Sequence, residues 1–230
     1  LWEAILHPDS LMELICNYLH LQNVTQKFYD ETTKDVIETS KDIFIFPRFH
    51  QLSVVKDALQ YTKVNGPGNN YLVQHSAGSG KSNSIAWLAH QLASLYESKD
   101  AKKRIFDSII VLTDRRILDR QLQNTIKQFE QTAGVVEAID MNSAQLKSAL
   151  ETGKDIIIST IQKFPVISGS MIELSGKNFA VIVDEAHSSQ SGESAKHVKK
   201  VLTTDGEPDG EETVEDKILK EMDLRGRQPH

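Results

Sequence analysis

The run His75-Ser76-Ala77-Gly78-Ser79-Gly80-Lys81-Ser82 sets five small residues directly before a lysine and a hydroxyl. Successive backbone N–H groups can wrap a polyphosphate only where side chains do not intrude, and the small residues meet that condition. The run follows the strict G-x-x-x-x-G-K-[ST] phosphate-loop pattern except at its first position, where His75 stands in place of glycine. In such a loop Ala77, Gly78, Ser79 and Gly80 supply the cradle. Lys81 reaches the β- and γ-phosphates of a nucleotide, and the Ser82 hydroxyl binds Mg²⁺. Much further along, "FAVIVDEAH" ends an apolar run in two carboxylates, Asp184 and Glu185. Brought beside the loop, Asp184 would hold the metal and Glu185 would polarise an attacking water.

Such a pairing needs a scaffold that carries distant segments to one edge. YLVQH (71–75), SIIVLT (108–113), DIIIST (155–160) and FAVIVDE (179–185) are short runs rich in Ile and Val. Helical patterns over 81–96, 115–131 and 142–151 separate them. Buried runs alternating with helices predict an α/β fold with a mostly parallel sheet covered on both faces. The strand at 71–75 would lead into the phosphate loop and the helix from 81 would leave it.

Towards the N-terminus, Leu11, Leu14, Ile15, Tyr18 and Leu19 fall at helical spacing over 10–22, with Ser10 and Glu13 placed as a capping box. Residues 24–42 are polar and mixed. Residues 43–46 read as a short strand stopped by Pro47, and 49–63 as a helix. The stretch 203–216 is acidic, bears Gly and Pro, and reads as a mobile surface insertion.

Asp184-Glu185-Ala186-His187 resembles motif II of the DEAH-type superfamily 2 helicases and translocases. That likeness implies a RecA-like lobe binding ATP and Mg²⁺, with His187 linking the nucleotide site to the rest of the motor. FPRFHQLSVVKDAL (46–59) resembles the family's adenine-recognising segment, which makes Gln51 the reader of the base edge. VLTDRRILDRQL (111–122) and IISTIQKF (157–164) resemble its two DNA-contacting segments. They imply phosphate donors at Thr113, Arg115, Arg116, Thr160 and Lys163. Arg115 and Arg116 would open a helix, where the dipole disfavours cations, and a functional use explains their placement better than surface solvation.

Taken together, TDRRILDRQ, STIQKF, DEAHSSQSG and His75 resemble the motor subunit of type I restriction enzymes most closely. The resemblance implies that residues 1–45 are a helical linker from an upstream nuclease domain and 46–230 are the first motor lobe. A second lobe would supply an arginine finger. The expected partners are duplex DNA and the DNA methyltransferase and specificity subunits of a restriction-modification complex. Two other readings use the same residues: a repair helicase or remodeller-like translocase without nuclease, and a nucleotide-gated binding module. A nominal nuclease match, Asp209 with Glu215 and Lys217, lacks the paired strands such a site needs.

Composition sets the limits. The chain has 230 residues, of which 39% are hydrophobic, enough for one large core. A net charge of −6 gives no global attraction to nucleic acid, so any DNA surface is a local patch. The single cysteine, Cys16, allows neither an internal disulfide nor a four-cysteine zinc site, and it suits a reducing cytoplasm. No run approaches the length of a membrane span, so no membrane partner is expected.

Overall fold

The computed structural model describes residues 6–30, 34–97, 102–113, 116–130, 132–167, 174, 176–185, 198 and 201–202. Two runs of isoleucine account for its centre. Strand β3 (Ser108–Thr113) and strand β5 (Ile156–Thr160) are buried at every position. They pair in parallel from Ile109↔Ile156 to Thr113↔Thr160. Strand β4 (Val136–Ala138) extends the sheet beyond β5, and strand β6 (Phe179–Val183) pairs in parallel with the other side of β3. The order is β4-β5-β3-β6, all parallel.

Side chains alternate across a strand, so each run feeds two cores. Ile109, Val111, Ile156 and Ile158 face one side, packed with Val55 of α2 (Phe49–Asn65), Ala86 and Trp87 of α3 (Lys81–Ala93) and Leu122 and Ile126 of α4 (Arg116–Gln128). Ile110, Leu112 and Ile157 face the other side, packed with Leu146 and Leu150 of α5 (Ser143–Thr152) and Phe164 and Ile167 of α6 (Phe164–Ile167). The expected α/β fold, a mostly parallel sheet flanked by helices in the manner of a RecA-like lobe, is the fold found. Helix α5 also has the ends its sequence implies. Asn142 Oδ1 accepts the Gln145 N–H at 3.1 Å, and Gly153 closes the helix at φ 69°.

The N-terminal region departs from the helical linker expected for 1–45. Helix α1 (Pro8–Asn17) starts at Pro8, so Ser10 lies inside it and caps nothing. Proline is tolerated at the first helical position because its missing N–H has no partner there anyway. Lys56 Nζ pairs with Glu13 Oε2 at 2.6 Å, and the Trp87 indole donates to the Tyr18 carbonyl at 2.9 Å. These contacts fasten α1 to the core. An antiparallel hairpin follows, β1 (His20–Asp30) with β2 (Asp35–Ile45), across the stretch 24–42 that reads from the sequence only as polar and mixed. Val24, Phe28, Tyr29, Val36, Ile37 and Thr39 favour strands, and pairs such as Phe28↔Ile37 and Lys27↔Glu38 hold the ladder.

A second departure concerns residues 71–75. They form no strand ladder; Leu72 is 86% exposed, and the Tyr71 ring packs on Tyr61 at 5.8 Å. An apolar run becomes a strand only where a neighbour takes up its backbone groups, and β6 is the last strand on that side among the described residues. No helix among the described residues is long and apolar enough to cross a membrane. The 203–216 stretch and the nominal nuclease match lie outside the described residues.

Candidate nucleotide site

Strand β6 and helix α3 bring the two chemical segments together. The Asp184 N–H donates to the Leu112 carbonyl at 2.9 Å, which extends the β3–β6 ladder by one residue and fixes Asp184 at the carboxyl edge of the sheet. Glu185 turns out of the strand with φ 54°, a left-handed conformation uncommon for a residue with a Cβ. Its Oε1 pairs with the Lys81 ammonium at the start of α3. Both side chains are about one-third exposed, 35% for Lys81 and 31% for Glu185. The carboxylate raises the Lys81 pKa above its ordinary value, chiefly through that hydrogen bond, so Lys81 is a cation at neutral pH. Burial pushes the Asp184 carboxyl above the usual range and Glu185 adds to the rise, while Lys81 pulls it down.

The loop is shaped by two glycines. Gly78 has φ 73° and Gly80 has φ 82°, with the Ser79 N–H turned back to the Ser76 carbonyl at 3.3 Å. A Cβ on Gly78 would meet open space, whereas one on Gly80 would lie 2.5 Å from Gln51 Nε2. Gln51, only 3% exposed, is committed to the loop. Its amide nitrogen donates to the Ser79 carbonyl at 3.2 Å and the Gly80 carbonyl at 2.9 Å, and its oxygen accepts the Arg48 N–H at 2.8 Å. Both N–H groups are therefore occupied. The base-reading edge expected of Gln51 is turned inward here, and the residue acts as a latch between α2 and the phosphate loop.

The residues present fit an oligophosphate with its metal. The loop leaves open space at Gly78 beside the first N–H groups of α3, which have no intrahelical partners. The Ser79 hydroxyl is buried without a hydrogen-bond partner. No three His, Cys, Asp or Glu side chains cluster as a metal cage among the described residues. Mg²⁺ at Ser82 and Asp184 would therefore take most of its ligands from phosphate and water, as this ion commonly does.

The expected DNA contacts are not assembled in the same way. Thr113 and Thr160 are register partners at the ends of β3 and β5, but they are 1% and 5% exposed. Both side chains are therefore buried at the carboxyl ends of their strands. The Lys163 ammonium donates to the Ile139 carbonyl and so closes the end of β4. Arg116 opens α4. Arg115 and His187 lie outside the described residues.

Two histidines add contacts that the motif does not specify. His50 Nε2 lies 3.0 Å from the Ser79 carbonyl, and the His50 and His75 rings meet edge-on with centroids 5.3 Å apart. His75 stays below the ordinary histidine range because of burial, His50 and Lys81, in that order.

The RecA-like sheet thus sets a lysine-bearing glycine loop opposite strand-end carboxylates, and comparison with known proteins gives the family. Residues 50–205, more than half of the chain, match the SWI2/SNF2 ATPase family. The chain belongs to that family. It is also similar to two proteins of Methanocaldococcus jannaschii. One is named a putative type I restriction enzyme MjaIXP endonuclease subunit, 30% identical over 135 residues, covering 57% of this chain and 12% of that protein. The other is named a putative type I restriction enzyme MjaVIIIP endonuclease subunit, 28% identical over 202 residues, covering 75% of this chain and 19% of that protein. The matched stretch spans less than a fifth of either relative.

Proposed function

We propose that this chain is the ATP-binding first motor lobe of a type I restriction endonuclease subunit and drives ATP-dependent translocation on duplex DNA before cleavage. The observation that carries this reading is the Lys81–Glu185 pair, which joins the phosphate loop to the DEAH segment across two elements far apart in sequence. The names of the two relatives support the restriction setting, and with it the methyltransferase and specificity partners.

The residues divide the work as follows. Gly78 and Gly80 keep the loop open, and its N–H groups with those of α3 meet the phosphate charge. Lys81 leaves Glu185 to contact the β- and γ-phosphates. Glu185, released, orients a water for attack and takes its proton. Mg²⁺, bound by Ser82 and Asp184, would neutralise charge developing on the phosphate oxygens. His187 couples the site to DNA. The DNA path runs over the carboxyl edge of the sheet, with Arg115, Arg116 and Lys163 as its cations and Thr113 and Thr160 anchoring the strand ends.

Phosphate release by the full-length protein, assayed with duplex DNA and the methyltransferase and specificity subunits, tests this. DNA should stimulate ATP hydrolysis, and Lys81→Ala should abolish it. Hydrolysis unaffected by Lys81→Ala would reject the site.

A further inference from the structure

We propose that His50 is a positioning residue for the phosphate loop: its Nε2–H, with Gln51, fixes the Ser79 carbonyl and thereby aims the Gly80 N–H at the bound phosphates. The proposal rests on the nucleotide-binding reading above and adds a residue that the loop motif does not contain.

A carbonyl oxygen only accepts, so the 3.0 Å contact requires the proton on His50 Nε2. The same oxygen accepts from Gln51 Nε2 at 3.2 Å. Two consecutive side chains in the first turn of α2 thus grip one carbonyl of the loop. The peptide between Ser79 and Gly80 is planar and trans, so its C=O and N–H point in opposite directions. Holding the Ser79 oxygen against α2 turns the Gly80 N–H away from α2, towards the loop's open side. Gly80 cannot hold this orientation alone, because glycine rotates freely about φ and ψ. The Gln51 contact with the Gly80 carbonyl at 2.9 Å does the same for the Lys81 N–H. His75 braces the imidazole from its edge, as a ring kept neutral by burial and nearby charge. The two histidines therefore belong to the device that preorganises the anion cradle, and His75 has a use where glycine would leave His50 unsupported.

The test uses Mg·tripolyphosphate and Mg·ATP as calorimetric probes of the full-length protein, with His50→Phe and His50→Gln. Phenylalanine keeps a ring against His75 and removes the donor. Glutamine restores an N–H at similar reach. Loss of one hydrogen bond to a preorganised group should weaken both probes about fivefold in His50→Phe, while His50→Gln stays within about twofold of the parent. Thermal unfolding midpoints without ligand should match the parent in both. Equal affinity of His50→Phe and the parent would overturn the proposal. So would equal losses in both variants with lowered unfolding midpoints, which would make His50 a packing residue, or a loss confined to ATP, which would place it at the base. Failure of the parent itself to bind tripolyphosphate would instead overturn the nucleotide-binding reading, and the proposal with it.

Discussion

Lys81 and Glu185 neutralise each other across the gap between the start of α3 and the end of β6. The lysine that should meet phosphate and the carboxylate that should activate water are each held by the other. On the function proposed above, a nucleotide would compete with Glu185 for Lys81, and its arrival would free the carboxylate for chemistry.

Glu185→Gln separates these two consequences. The neutral amide holds Lys81 less firmly, so Mg·ATP should bind at least as tightly as to the parent. Hydrolysis should fall by about 10² to 10⁴, the usual contribution of a positioned general base. Calorimetry together with single-turnover hydrolysis checks both, and a variant that binds weakly yet turns over normally would contradict the assignment.

Lys81→Ala should act the other way. Charge-assisted hydrogen bonds to phosphate are worth roughly 1.5–3 kcal/mol, so ATP affinity should fall about 10- to 100-fold. Unfolding without nucleotide should change little, because the Lys81–Glu185 pair is partly solvated and such pairs stabilise weakly.

Asp184 predicts a pH dependence. Its folded-state pKa is raised above the ordinary 3.8, chiefly by burial. The protonated acid is thus favoured in the fold, and the stability it contributes is lost as pH climbs through the raised value. Metal binding needs the ionised form, so Mg²⁺-dependent nucleotide affinity should rise with pH through that window. Asp184→Asn should be at least as stable as the parent at neutral pH and should show no such rise. Binding titrations over a pH series, with matched thermal melts, check this.

Gly80→Ala meets two obstacles at one atom. The left-handed φ of 82° costs an alanine roughly 1–2 kcal/mol. The new Cβ would also sit 2.5 Å from Gln51 Nε2 and push the latch off the loop. Nucleotide affinity should fall at least about tenfold, whereas Gly78→Ala, with open space at its Cβ, should lose less. Equal losses would show that backbone strain alone decides.

Much of this was readable from residue types. The isoleucine runs at 108–113 and 156–160 read as buried strands, and the helical pattern over 142–151 located α5. The loop and the two carboxylates were legible as partners because their chemistry is incomplete apart. The hairpin was not, since both of its faces mix polar and apolar residues and no buried face stands out. Residues 71–75 misled for the opposite reason: their composition suits a strand, but pairing depends on a neighbour. The burial of Thr113 and Thr160 was not legible, because sequence does not show what packs against a strand end. The turning of Gln51 and His50 onto the Ser79 carbonyl is a contact between segments 28 and 29 residues apart, fixed by packing and not by local pattern.

On the proposed function, this nucleotide site drives movement along duplex DNA. Displacement of a fluorescent third strand from a duplex, by the full-length protein combined with the methyltransferase and specificity subunits proposed above, measures that movement directly. Displacement should require both ATP and Mg²⁺ and should disappear in Lys81→Ala and in Glu185→Gln. ATP hydrolysis with no displacement, or displacement that survives Lys81→Ala, would contradict that function.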